Sequence, residues 1–226
     1  MRSNLYVISF MSAITVVLGL LLSVAATSLA ERQEMNVQID MKKNILSSLN
    51  IPEDASAKLT GDEIQTLFEE RIEELSIDEK GNIVTDGAYS VFKKKSAEGA
   101  GGYAIPVSGK GLWSTVYGYL AIEPDGETVK GITFYKHGET PGLGGEIDKE
   151  WFTSSFVGKK IVDVTGNPVA LEIIKGIVLP TDSEAFHRVD GISGATLTCK
   201  GVNQFLAKDL AIYEPFFKNI RYEGGK

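Results

Sequence analysis

Asp190-Gly191-Ile192-Ser193-Gly194-Ala195-Thr196-Leu197-Thr198 is the stretch on which the reading of this chain turns. It sets small residues and hydroxyls beside an acid, just ahead of an apolar stripe. From Leu197 to Tyr213 that stripe places Val202, Phe205, Leu206, Leu210 and Tyr213 at helical spacing. Glycine lets a flat ligand approach the backbone, and the first turn of a helix leaves N–H groups unpaired and facing whatever sits there. Holding a phosphate-bearing group on a side-chain hydroxyl requires both. The plainer reading is a glycine turn in which Ser193, Thr196 or Thr198 caps the helix. On the functional reading, a phosphodiester on Thr196 would lie at the positive helix end near Lys200, and Asp190 would be a handle for a modifying enzyme.

Upstream lies a second glycine-rich segment, His137-Gly138-Glu139-Thr140-Pro141-Gly142-Leu143-Gly144-Gly145-Glu146. Its composition enforces a folded loop, either a ligand-facing one or a plain connection between a strand and a helix near Lys149 to Phe156. A third segment, Ser108-Gly109-Lys110-Gly111-Leu112-Trp113-Ser114, puts Trp113 beside a glycine turn, as a stacking or partner surface or as a core residue.

Around these segments the chain reads as α+β. Tyr103 to Val107 and Ser114 to Ile122 are predicted strands, and Glu123-Pro124-Asp125-Gly126-Glu127 is a turn. Val129 to Tyr135 follows as the return strand, and Asp163 to Leu179 adds strand candidates around Gly166-Asn167-Pro168. The expected architecture is a twisted antiparallel sheet with helices on its faces. Before it, Asn36 to Leu49 is predicted helical, Ile51-Pro52-Glu53-Asp54 breaks that helix, and Thr60-Gly61-Asp62-Glu63 is a capping box. The helix it opens would carry Ile64, Leu67, Phe68, Ile72 and Leu75 on one face, with Glu69, Glu70, Glu73 and Glu74 on the wet one.

From Ser3 to Ala30 there is no charged residue, and Leu5 to Ala26 is mainly apolar. As a helix this run of about 22 residues is roughly 33 Å long, enough to cross a bilayer core. Arg2 precedes it, and Glu31, Arg32 and Glu34 follow, so the N-terminus is placed in the cytoplasm and the main domain outside. A cleaved signal ending at Ser28-Leu29-Ala30 is the alternative, and it exports the same domain. The expected organisation is therefore a transmembrane anchor over 1–33, a helical connector over 34–80 and an extracytoplasmic domain over 81–226.

Composition narrows the function further. A net charge of −7 argues against nucleic acid as a partner. Cys199 is the single cysteine, and with only His137 and His187 no paired metal-ligand spacing is present. No general acid/base pair or activated nucleophile is evident, so no catalytic residue is expected. A span without ionisable residues is a poor ion pathway.

Asp-Gly-Ile-Ser-Gly-Ala-Thr, with Glu-Thr-Pro-Gly-Leu-Gly-Gly-Glu ahead of it, resembles the FMN-binding domain family. The resemblance implies FMN ester-linked through its phosphate to Thr196. Ser193, Gly194 and Ala195 would complete the motif, and Glu139, Thr140, Gly142 and Leu143 would lie near the flavin. With the single span and Gly109-Lys110-Gly111-Leu112-Trp113-Ser114, the chain resembles the flavoprotein subunits of sodium-translocating NADH:quinone oxidoreductases, and the Lys-Gly-Leu-Trp segment favours that version. The homologous subunits of ion-pumping ferredoxin:NAD oxidoreductases share the Thr-Pro-Gly-Leu-Gly and Ser-Gly-Ala-Thr elements. The implied role is one electron-transfer step in a complex at the cell inner membrane that oxidises NADH, reduces quinone and moves sodium ions outward. The implied partners are the other subunits, a flavin transferase on the outer side, and the bilayer around 5–26. A membrane-anchored binding or assembly protein without a cofactor is the reading from another class.

Overall fold

Two of the predicted strands lie side by side inside a sheet. The structure is a computed structural model that describes residues 4–52, 59–96 and 99–223. Strand β5 (Thr115–Ile122) lies between β4 (Gly99–Lys110) and β6 (Val129–Lys136), antiparallel to both. The β5–β6 turn closes because Asp125 Oδ1 accepts the N–H groups of Glu127 and Thr128, with Gly126 at φ 70°. Alternation then sorts the side chains. Ile105, Val107, Val116, Leu120, Ile122, Ile132 and Phe134 join the main core, while Ala104, Tyr119 and Ala121 are buried outside it. With β1 (Ile72–Ile77), β2 (Ile83–Val84) and β3 (Tyr89–Ser96), the sheet runs β2-β1-β3-β4-β5-β6, antiparallel throughout.

Beyond the short helix α3 (Glu150–Thr153), α4 (Thr196–Glu223) lies on the main core, buries the predicted stripe and continues past Pro215 to bury Phe216 and Phe217. Burying a single phenylalanine is worth about 1.5–3 kcal/mol. Helix and sheet approach closely where glycines meet. A Cβ on Gly201 would stand 2.3 Å from the Lys110 carbonyl oxygen, and one on Gly109 would stand 2.3 Å from Phe205 Cβ. Asp209 ties the same region together by accepting the Ser108 N–H at 2.8 Å. This contact places the first turns of α4 beside the Gly109–Ser114 segment.

The opposite face is covered by residues 41–49, at the end of the long α1 (Asn4–Ser48), and by α2 (Gly61–Arg71). Ile45, Leu46 and Leu49 are buried there, and the Thr133 hydroxyl donates to the Asn44 carbonyl at 3.3 Å. The predicted capping box opens α2: Glu63 accepts the Thr60 N–H at 2.7 Å, and Thr60 Oγ1 accepts the Glu63 N–H at 3.4 Å. Phe68 of α2 meets Phe92 of β3 edge-on, ring centres 6.3 Å apart.

The chain divides into two compact units, residues 1–40 and 41–226. In the first, the helix from Asn4 is long and apolar enough to cross a membrane, and its apolar side chains are exposed.

Three expectations need correction. The helix begun at Thr60 stops at Arg71, and Ile72 to Ile77 enters the sheet as β1, so 34–80 is not helical throughout. Ile72 and Leu75 match helical spacing by coincidence, whereas their strand partners lie in β3. Glu73 faces Lys93 there at 3.2 Å, so it belongs to a cross-strand pair and not to a helix surface. The helix expected to begin at Asn36 is the tail of α1, continuous from Asn4, and Glu53 and Asp54 of the breaker lie outside the described residues. Within Asp163 to Leu179 only β7 (Glu172–Ile173) forms, parallel to β8 (Arg188–Val189). Asp163 Oδ1 takes the N–H groups of Thr165 and Asn167, closing the chain into a turn before a ladder can start.

Candidate functional site

The start of α4 is built from the strand before it. After β8, Asp190 Oδ1 accepts the Val178 N–H at 2.7 Å, and the Gly191 N–H donates to the Gly176 carbonyl at 2.8 Å. A Cβ on Gly191 would stand 2.1 Å from the Ile174 carbonyl oxygen, so only glycine lets these two backbones meet. Gly194, at φ 76°, turns the chain into the helix, where a left-handed conformation favours glycine. The first helical bond is Cys199 N–H to the Ala195 carbonyl, so the amides of Thr196, Leu197 and Thr198 precede the ladder.

The three hydroxyls of the motif separate cleanly. Ser193 and Thr196 are exposed. Thr198 is 1% exposed, and its Oγ1 donates to Glu139 Oε2 at 2.6 Å. Ala195 is buried in the core and turns nothing toward solvent.

Beside Thr196 opens a cavity of about 550 Å³. Residues 173–177 form one wall, 191–194 another, and Thr196, Cys199, Lys200 and Asn203 of α4 the third. Asn203 locks the first wall to the helix by accepting the Ile173 N–H at 2.8 Å and donating to its carbonyl at 2.9 Å. Burial pushes the Cys199 thiol above its ordinary pKa, so it is a wall and not a nucleophile. The volume falls within the range of small-molecule sites, about 300–1,000 Å³. Isoleucines supply apolar surface for a flat ring, while Lys175, Lys200 and the first-turn amides supply positive charge for a phosphate. Such a donor set fits FMN. Sequence patterns gave no sign of the wall at Lys175, Gly176 and Ile177 beyond the strand candidates there, and those suggested a ladder instead.

The Glu139–Glu146 loop reaches α4 from elsewhere. Glu139 is 5% exposed, and it turns away from the cavity into the protein. Its Oε1 accepts the N–H groups of Trp113 at 2.9 Å and Ser114 at 3.2 Å, and its Oε2 accepts the Leu112 N–H at 3.1 Å besides the Thr198 hydroxyl. Burial pushes its carboxyl upward, but the bonds from Thr198, Trp113, Ser114 and Leu112 outweigh this and hold it below the usual range. Thr140, Gly142 and Leu143 lie on the loop, outside the cavity wall, with Gly142 and Leu143 exposed and Thr140 turned outward beside them. Leu143 stands over the start of α4, its Cδ2 within 2.7 Å of where a Gly194 Cβ would be. Trp113 is no core residue: it is 72% exposed. The structure thus brings Ser193, Gly194 and Thr196 to the cavity and gives Glu139 a bracing part.

This arrangement defines a class. Residues 111–211, which include both glycine-rich loops and most of α4, match the family of FMN-binding domains. The chain belongs to the family of C subunits of Na⁺-translocating NADH-quinone reductases. It is 34% identical to such a protein from Vibrio anguillarum over 94% of this chain and 93% of that one. To its Pseudomonas aeruginosa counterpart it is 50% identical over 52% of this chain and 45% of that one. The crystal structure of the Parabacteroides distasonis counterpart superposes with a TM-score of 0.71 at 33% identity, covering 84% of this chain and 96% of that one.

Proposed function

We propose that this chain is the FMN-carrying, electron-transferring subunit of a sodium-translocating NADH:quinone reductase, with FMN joined through its phosphate to the Thr196 hydroxyl. One observation carries the attachment site: the Thr196 side chain is exposed at the first turn of α4, on the wall of a cavity of about 550 Å³. FMN, when bound, supplies one- and two-electron transfer. This chain's residues supply place and charge. Thr196 offers the oxygen, the amides of the first turn and Lys200 one turn on oppose the phosphate's charge, and Lys175 faces them from the opposite wall. Ile173 and Ile192 line the cavity and would shield a bound ring from water.

Residues 5–26 anchor the chain in the inner membrane with Arg2 in the cytoplasm, and the domain that follows lies outside. There a tether has a physical purpose. A dissociating cofactor would be lost to a dilute exterior, whereas a short link holds it at an effective concentration of about millimolar. A flavin transferase on the same side installs it, and Asp190 is its point of recognition. The other subunits of the complex are the electron partners, and they carry the ion path.

Intact-mass spectrometry of the full chain, co-expressed with a transferase, tests this. The expected increment is the mass of FMN less one water, lost in Thr196→Ala and kept in Ser193→Ala. An unmodified wild type, or an increment that survives Thr196→Ala, sinks the assignment. Protease added to intact cells after outer-membrane permeabilisation reads the topology; a protected domain sinks the outer location.

A further inference from the structure

Near the start of α4 the cavity accounts for Thr196, Lys200 and Asn203, but not for Glu139. A carboxylate accepts about four hydrogen bonds through its two oxygens. Glu139 receives them from Leu112, Trp113, Ser114 and Thr198, so both of its oxygens are engaged by protein donors. Two glycines clear space for it. A Cβ on Gly111 would stand 2.6 Å from Oε1, and one on Gly144 would stand 3.0 Å from Oε2 and 2.4 Å from Thr198 Oγ1. Neither glycine has a positive φ, so clearance is what the position demands. An ionised group inside a protein is costly unless it is fully paired, and removing its partners is costlier still. Four donors and two cleared positions around one acid therefore mark a built anion seat, filled by the chain's own side chain. Three segments distant in sequence meet there: the Gly111–Ser114 turn, the Glu139–Gly145 loop and the first turn of α4. The Ser114 hydroxyl adds a second clip by accepting the Gly138 N–H at 2.6 Å.

We propose that Glu139 is a positioning residue for the flavin: its carboxylate ties the Trp113 turn and the Leu143 loop to α4, so that Leu143, over Gly194, borders the ring held on Thr196 and fixes its attitude. The inference rests on Thr196 as the attachment point and deepens that reading. Glu139 acts through Thr198 and through backbone, since it is not part of the cavity wall. Leu143 is the transmitting contact, because it already stands over Gly194.

The test uses the full chain in detergent, matured by a flavin transferase, as wild type, Glu139→Gln and Thr198→Val. Phe217→Leu, at the far end of α4, serves as a stability control. The initial rate of FMN incorporation is read by mass, and the attitude of the attached ring by visible circular dichroism and iodide quenching. In Glu139→Gln an amide N–H₂ replaces one acceptor and faces a donor, so incorporation slows about tenfold. The flavin it does carry shows an altered dichroic band and faster quenching. Thr198→Val moves both readouts the same way by less. Phe217→Leu lowers the melting temperature and keeps the wild-type band. A wild-type rate and band in Glu139→Gln overturns the proposal; should that variant not fold, Thr198→Val decides in its place. Failure of the underlying reading looks different: wild type then takes no FMN, or Thr196→Ala keeps it, and the proposal falls with it.

Discussion

Glu139 and Thr196 sit in two glycine-rich segments of similar composition, yet the fold treats them oppositely. The acid is 5% exposed and closed over by four donors, whereas the hydroxyl is exposed on the first turn of a helix. The glycines divide in the same way. Gly194 is needed for its backbone angle, because a φ of 76° turns the chain into α4. Gly144 is needed for its missing side chain, because a Cβ would enter the Thr198–Glu139 contact. One segment leaves a hydroxyl open on a cavity wall, and the other turns an acid inward onto the first turn of α4. Composition alone does not distinguish these jobs.

That contrast can be broken by substitution, beginning with the brace. Glu139→Ala orphans three backbone N–H groups and is expected to cost about 3 kcal/mol, read by denaturant unfolding of the detergent-solubilised chain. Because the folded carboxyl lies below the usual range, its contribution is fully present above the unfolded value, near 4.3, and is lost as pH falls through the lower folded value. The gap between wild type and Glu139→Ala should therefore narrow below about pH 4.3; a gap that widens there contradicts the brace. Gly144→Ala is expected to cost about 2 kcal/mol by overpacking, with a matching fall in FMN incorporation because Thr198 must move.

Asp190 offers a sharper cut at smaller energy. Asp190→Ala loses the acceptor for the Val178 N–H and should cost about 1 kcal/mol, whereas Asp190→Asn keeps an acceptor oxygen and should be nearly neutral in stability. If the acid is also the transferase's handle, Asp190→Asn still loses FMN incorporation; full incorporation assigns Asp190 to the fold alone. A stability change below about 0.5 kcal/mol is likewise expected at Trp113→Ala, since that ring is exposed and only its backbone is used by Glu139.

Much of this was legible in the sequence. The capping box at Thr60 to Glu63 and the stripe from Val202 to Tyr213 are local patterns whose meaning depends on neighbours within a turn or two. The strands on either side of the Asp125 turn are equally local. The failures are non-local. Ile72 and Leu75 carry a spacing compatible with helix, and only pairing with β3 makes them strand. The wall of residues 173–177 exists because Gly191 allows the backbone at Ile174 to approach, and Asn203 holds Ile173 from 30 residues away.

The amino-acid order by itself settled the α+β class and the apolar N-terminal helix, and it marked the glycine-rich entry to α4, since periodicity and turn chemistry are written in short windows. Which hydroxyl is accessible, which acid is turned inward and which loops meet at α4 were decided by the tertiary structure alone. Those outcomes depend on hydrogen bonds that span many tens of residues, such as the 59 between Glu139 and Thr198, and no short window contains both ends of such a bond.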